Sequence, residues 1–546
     1  MSSSGDVRTC RCRDARGVPS REVRAAYDTV IVGAGSAGCV IAARMTESSA
    51  HDVLLVEAGP DHGPSARPPD LADGTRNSYR AHDWGHAHRA SEAATFRVPM
   101  PRGRVVGGSS AVNTCIALRG VPADYDEWAA RGLPSWSWAR VRPAFLRLER
   151  DLDAIESLAR GDGRFDAREH GLEGPLPIRR AAEHELTPWQ RGFRDACVAR
   201  GFAEIADHNA EGALGVGPHP RNAIDGVRVD AARAWLTAEV RARANLTIAP
   251  HTHVHRVCVA RGRVTGVELE HHGVVKTIAA RRVILTAGAL ATPGILLRSG
   301  LGPASELSRL GVRRVADVPA IGARLLDHPG TAIFAWPTRE GLADTSAALV
   351  QIALRLRSAK SRFEGDLQLQ AGSYWFFPIG AGLSIPGVGV MMHVGKPVGT
   401  GTIRYADAHP HTRPTIDSRL FSEPADRAVA LEGLTLAREL MDTPPLRGTW
   451  RAVWPRPHTL GDRAALEALL PSLCDSGYHP SGTVPMGEAC DEFGRIAGLE
   501  GLHVADASLL PTIPTANIHL AVLMIGERFG AWLRDGRTPS DELTGA

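Results

Sequence analysis

Apolar and β-branched residues cluster first at Thr29-Val30-Ile31-Val32, the pattern of a strand buried on both faces. That run ends in Gly33-Ala34-Gly35-Ser36-Ala37-Gly38, and a helical stretch follows through Arg44. A second apolar strand, Asp52 to Glu57, closes on an acid, which completes a βαβ unit. The glycines have separate tasks: Gly33 permits the tight turn, Gly35 lets the backbone approach a pyrophosphate, and Gly38 allows close helix–strand packing. The helix N-terminus at Ser36 adds N–H groups and a favourable dipole, and Glu57 is placed to bind ribose hydroxyls. These spacings predict a dinucleotide site.

Further along, residues 60–75 read as a loop, and a Gly/Ser-dense stretch from Pro101 to Asn113 precedes apolar Ile116-Ala117-Leu118. Such a stretch can wrap backbone amides around a phosphate or a ring system. Leu246-Thr247-Ile248 and Val254 to Val264 predict a meander in which His251, His253 and His255 share one strand face, read as solvated rather than metal-binding. Arg282 to Gly288 is another buried-type strand, followed by Thr292-Pro293 as N-cap and first turn of a short helix that Gly300 ends. Between about 319 and 472 the texture changes to alternating segments with one longer helix. Nucleotide-type texture returns with Leu502 to Asp506 and a helix from about His519 to Arg534. The chain is therefore expected to have a disordered tail at 1–26, a nucleotide domain over 27–318 and 473–536, and an inserted substrate domain over 319–472. The fold class is α/β plus an antiparallel sheet.

Composition narrows the function classes. With 63 Lys+Arg against 60 Asp+Glu over 546 residues, the net charge of +3 is too balanced for a chain built around nucleic-acid backbones. Eight cysteines lack metal-type spacing and point to a reduced, cytoplasmic protein. The longest apolar stretch, Val283 to Leu297, is interrupted by Gly288, Thr292, Pro293 and Gly294 and is too short to span a bilayer.

Together the motifs resemble the glucose-methanol-choline (GMC) family of FAD oxidoreductases over nearly the whole chain. Arg102 to Asn113 resembles its first signature, Gly288 to Gly302 its second, and Ile321-Gly322 with Asp327-His328 a third element. Tyr478 to Gly487 resembles its active-site segment. The resemblance implies FAD, a Rossmann-like flavin domain with an inserted substrate domain, and oxidation of a small-molecule alcohol. It adds Val106, Asn113, Ile116, Val254 and Asp506 to the cofactor contacts. His479 takes the place of the family's flavin-facing histidine. Counting back six residues from Ile525 puts the second catalytic position at His519, with Asn517 as the alternative. Some members attach FAD through a histidine in the first signature, where this chain has Val112, so noncovalent FAD is expected.

The chemistry asks for such a pair. Removing hydride from a carbinol carbon leaves a cation unless the hydroxyl proton also departs, so a base must reach that oxygen. Histidine suits because its ordinary pKa lies near working pH. A hydroxynitrile-lyase-like enzyme that keeps FAD without net redox turnover is the alternative. The alcohol and the electron acceptor, whether O2, a quinone or a protein, stay open.

Overall fold

A computed structural model describes residues 22–63, 66–78, 81–342, 345–380 and 383–544, with the side chains of 376–380 and 383–385 undescribed. Most of the expected N-terminal tail lies outside these residues.

The first sheet runs in the order Leu246–Ala249, Val53–Val56, Ala26–Val32, Val274–Leu285, Arg263–His271, Thr252–Ala260, and Leu502–Val504 also pairs with Val274–Leu285. Ala26–Val32 is central and parallel to both neighbours, with Ile31 opposite Leu55 on one side and Ile284 on the other. All three residues are wholly buried, as continuous apolar runs require in a sheet covered on both faces. The expected meander is confined to Thr252–Ala260, Arg263–His271 and Val274–Leu285. Leu246–Ala249 instead lies parallel to Val53–Val56 at the sheet's edge. A short apolar run does not state its partner, and here the partner lies nearly 200 residues away.

Helix Ser36–Met45 packs against helix His519–Asp535, joining the two ends of the chain. Gly526 makes this approach close, because a Cβ there would sit 3.0 Å from the Ala37 backbone. The nucleotide layer is thus discontinuous in sequence and continuous in space.

The second sheet is antiparallel: Trp450–Trp454, Pro329–Pro337, Leu383–Val394, Leu367–Gly380, Ile352–Leu356, Gly215–Pro218. Helices Pro424–Asp442 and Pro188–Ala199 share its apolar core. This layer therefore takes in a strand and a helix from upstream of 319, where their apolar faces find cover. Asp475–Ser476 pairs with Pro329-Gly330 and leads straight from the second sheet into the segment around His479. No helix among the described residues is long and apolar enough to cross a membrane.

Candidate active site

A cavity of about 510 Å³ runs from the Gly33 turn to His479. At its nucleotide end Gly33 has φ +106°, and a Cβ there would meet the Thr286 carbonyl oxygen at 2.6 Å. Only glycine tolerates that combination. A Cβ on Gly38 would lie 2.0 Å from the Gly33 carbonyl oxygen, the close packing expected of the third motif glycine. The first signature folds onto this turn: Gly107 N–H donates to the Ala34 carbonyl at 2.7 Å, and Gly108 leaves no room for a side chain over Gly35.

Glu57 accepts hydrogen bonds from the backbone N–H of Ala34 (3.1 Å) and Gly59 (2.9 Å). Burial pushes its carboxyl up to about 7, against the pull of those two N–H groups. Gly33, Gly35, Ser36, Glu57, Asn113, Ile116, Val254 and Asp506 all line the cavity. Gly38 and Val106 do not: Gly38 serves helix packing, and Val106 is buried in the core with its N–H on the Pro60 carbonyl. Asp506 is buried between the two motif regions, accepting from Gly288 N–H (2.8 Å) and Thr292 Oγ1 (2.7 Å). Thr292 is therefore the first residue of its helix, Thr292–Arg298, rather than its N-cap, and its hydroxyl is spent on Asp506. Gly300, at φ +82°, follows that helix as expected.

The other end is built by three separate segments. Tyr478 has φ +63°, and the turn presents His479 with its backbone N–H on Asp327 Oδ1 at 2.9 Å. Arg102 donates to the Tyr478 carbonyl at 2.7 Å, tying the first signature to this turn. His479 Nδ1 lies 2.8 Å from His328 Nδ1, and His479 Nε2 lies 3.1 Å from Asn517 Nδ2. His328 is buried, and its Nε2 faces two carbonyls, Gly395 at 3.0 Å and Pro514 at 2.9 Å.

These contacts fix the protons. Carbonyls only accept, so His328 Nε2 carries hydrogen. Burial, aided by the field of His393, lowers His328 to about 4 and keeps it neutral, so its Nδ1 accepts. His479 Nδ1 must then donate. Burial, followed by the fields of His328, His393 and Arg102, holds His479 well below the ordinary histidine range, so it too is neutral. Its Nε2 carries a lone pair, which receives the Asn517 amide. His479 and Asn517 are each partly open to the cavity they line.

Asn517, not His519, is the residue bonded to His479. The count from Ile525 lands on the first residue of helix His519–Asp535, whereas Asn517 lies two residues before that helix begins. His519 lines the same cavity with its Nε2 buried and without a hydrogen-bond partner, and burial lowers it to about 4. The glycine cradle, the N–H-bound carboxylate of Glu57 and this unsatisfied nitrogen together fit a dinucleotide-type cofactor. Sequence reasoning gave no role to His328, although the Asp327-His328 pair was visible. Only its position behind His479 reveals what it does.

The N- and C-terminal family models for GMC oxidoreductases match residues 27–330 and 397–526. A 5-(hydroxymethyl)furfural oxidase of Methylovorus sp. (strain MP688) is 35% identical, with 92% of this chain and 97% of the relative covered. A pyridoxine 4-oxidase of Microbacterium luteolum is 33% identical, with 92% and 99% covered. The crystal structure of pyridoxine 4-oxidase from Mesorbium loti superposes with a TM-score of 0.83 at 30% identity, covering 92% of this chain and 98% of that one.

Proposed function

This chain belongs to the GMC oxidoreductase family, FAD-dependent enzymes that oxidise alcohols, and on that premise we propose a primary alcohol borne on a small planar ring as its substrate, with O2 as acceptor. The observation that carries this reading is the His328–His479–Asn517 chain of hydrogen bonds at the end of the cavity. Two relatives named as oxidases of a furan and a pyridine alcohol support the substrate and acceptor classes. No relative named here favours the cyanohydrin-cleaving alternative.

The cradle of Gly33, Gly35, Ser36 and Glu57 would hold the cofactor, which supplies the hydride acceptor when bound. Val112, which lines the cavity, has no atom able to form a histidyl-type link to it. His479 Nε2 takes the hydroxyl proton as the carbinol C–H leaves as hydride, so the alcohol becomes an aldehyde. Asn517, which touches that nitrogen, turns its N–H to the substrate oxygen and holds it beside the base. His328 acts behind His479 as a positioning residue, keeping its proton on Nδ1. We assign His519 to the cofactor side of the cavity, where its unpartnered Nε2 finds a ligand atom. The six described cysteines are free, in keeping with the reducing cytoplasm we propose as its compartment.

The test is anaerobic stopped-flow reduction of the flavin by 5-(hydroxymethyl)furfural and by pyridoxine, followed by peroxide measurement in air. Asn517→Ala should slow reduction more than His519→Ala, whose main effect should be weaker FAD retention. Reduction crippled in His519→Ala but normal in Asn517→Ala would return the second catalytic role to His519. Flavin that either alcohol reduces but O2 does not reoxidise would remove O2 as acceptor.

A further inference from the structure

The strand face that sequence alone assigns to solvent is completed by a distant loop. His251 is not part of it: its φ is +51°, and its ring packs beside His272. His253 and His255 project from strand Thr252–Ala260, and His411 comes from the Pro410–Pro414 segment that lines the cofactor cavity. One ring nitrogen from each of the three lies within 4.8 Å of the others, and His253 Nδ1 is 3.1 Å from His411 Nδ1. Imidazoles bound to a tetrahedral zinc at about 2.0–2.1 Å have nitrogens roughly 3.3 Å apart, so closure needs only small side-chain movement.

The surrounding groups suit a cation. His411 Nε2 lies 2.8 Å from Glu270 Oε2, so His411 donates there and its Nδ1 lone pair is free to face His253. This carboxylate–histidine arrangement is the one that orients imidazole ligands and raises their basicity. His255 Nε2 is buried without a hydrogen-bond partner, 3.4 Å from the same carboxylate. Glu268, paired with Arg256, adds a second acid beside His255. Together the two acids oppose the positive charge of Arg298, whose Nε donates to the His255 carbonyl.

We propose that His253, His255 and His411 bind one divalent transition metal, zinc in the first instance, with Glu270 supporting His411 and solvent in the fourth position. The ion clips the Pro410–Pro414 segment to the nucleotide sheet. That segment and His253 both line the cavity, so the clip slows cofactor escape.

Holoenzyme freed of metal by chelation is titrated with ZnCl2 in a calorimeter, and the rate of FAD loss is followed by flavin fluorescence with and without zinc. One zinc per chain is expected, with FAD loss slowed. His411→Ala and His255→Ala should each weaken zinc binding by more than about tenfold, and His411→Ala should abolish the zinc effect on FAD loss. His458→Ala, which alters an exposed histidine on the second layer, should change neither. Stoichiometric binding that survives His411→Ala, or no stoichiometric binding to the parent, overturns the site. Zinc binding that leaves FAD loss unchanged overturns the clip.

Discussion

Two histidine groups in this chain are set up in opposite ways. His170 lies 3.1 Å from Asp151, 3.3 Å from Asp207 and 3.5 Å from Glu149. Burial works against its charge, but the three carboxylates around it overcome the penalty and push it up to about 11. Arg180 bridges Asp151 and Asp207, and Arg119 pairs with Glu149, so the positive charge there is already supplied. At the cavity the His479 ring faces the fields of His328, His393 and Arg102 rather than a carboxylate, and desolvation leaves it neutral. Burial alone does not set a histidine's charge; the charged partners that accompany it do. One group is locked as a structural cation, and the other keeps a lone pair ready for a proton.

Crossing the two groups by mutation gives the largest effects. His479→Ala should slow flavin reduction by about 10²–10⁴-fold, the worth of a positioned base, with the protein folded and FAD still bound. His170→Ala should do the reverse, costing about 3–5 kcal/mol of stability by leaving buried carboxylates uncompensated while folded enzyme reduces at the parental rate. Should His170→Ala slow reduction as strongly as His479→Ala, the division between structural and reactive histidine is wrong.

A smaller effect is expected behind the base. His328→Leu removes the acceptor that holds the His479 proton on Nδ1, worth about 1–3 kcal/mol, or roughly 5- to 150-fold in the reduction rate constant. His328→Gln, whose side chain still offers a carbonyl, should lose less. Both should leave the substrate's dissociation constant near the parental value, since His328 acts through His479. A loss confined to substrate affinity would show that it does not.

The gentlest probe is pH, where the two groups should diverge in sign. His328 and His519 sit at about 4 in the fold against an ordinary 6.5, so their contribution to stability is present above 6.5 and lost as pH falls toward 4. His170 is raised to about 11, so its contribution is complete below 6.5 and lost as pH rises through 11. Because His479 is held below 6.5, flavin reduction should keep its rate as pH falls through 6.5 and decline only in more acid solution. Denaturant midpoints and reduction rates measured across pH check both. An acid limb at or above 6.5 would mean that the base is not desolvated when the cofactor is in place.

His479 was legible only through the family resemblance of its segment, whereas by itself the sequence determined the features held within short spans: the Gly33 turn with Glu57 and the buried runs of the nucleotide sheet. Local steric rules govern these features, for a glycine that must adopt φ +106° or a strand buried on both faces is written in neighbouring residues. The tertiary structure decided what depends on approach between distant segments. It paired Leu246–Ala249 with Val53–Val56, drew Gly215–Pro218 into the second sheet, and gave Thr292 to Asp506. It also chose Asn517 over His519 as the partner of His479, because where a helix begins decides which side chains reach across the cavity. His328 behind the base and His411 beside His253 belong to the same class. Hydrogen bonds reach about 3 Å whatever the separation along the chain, and only packing brings those atoms that close.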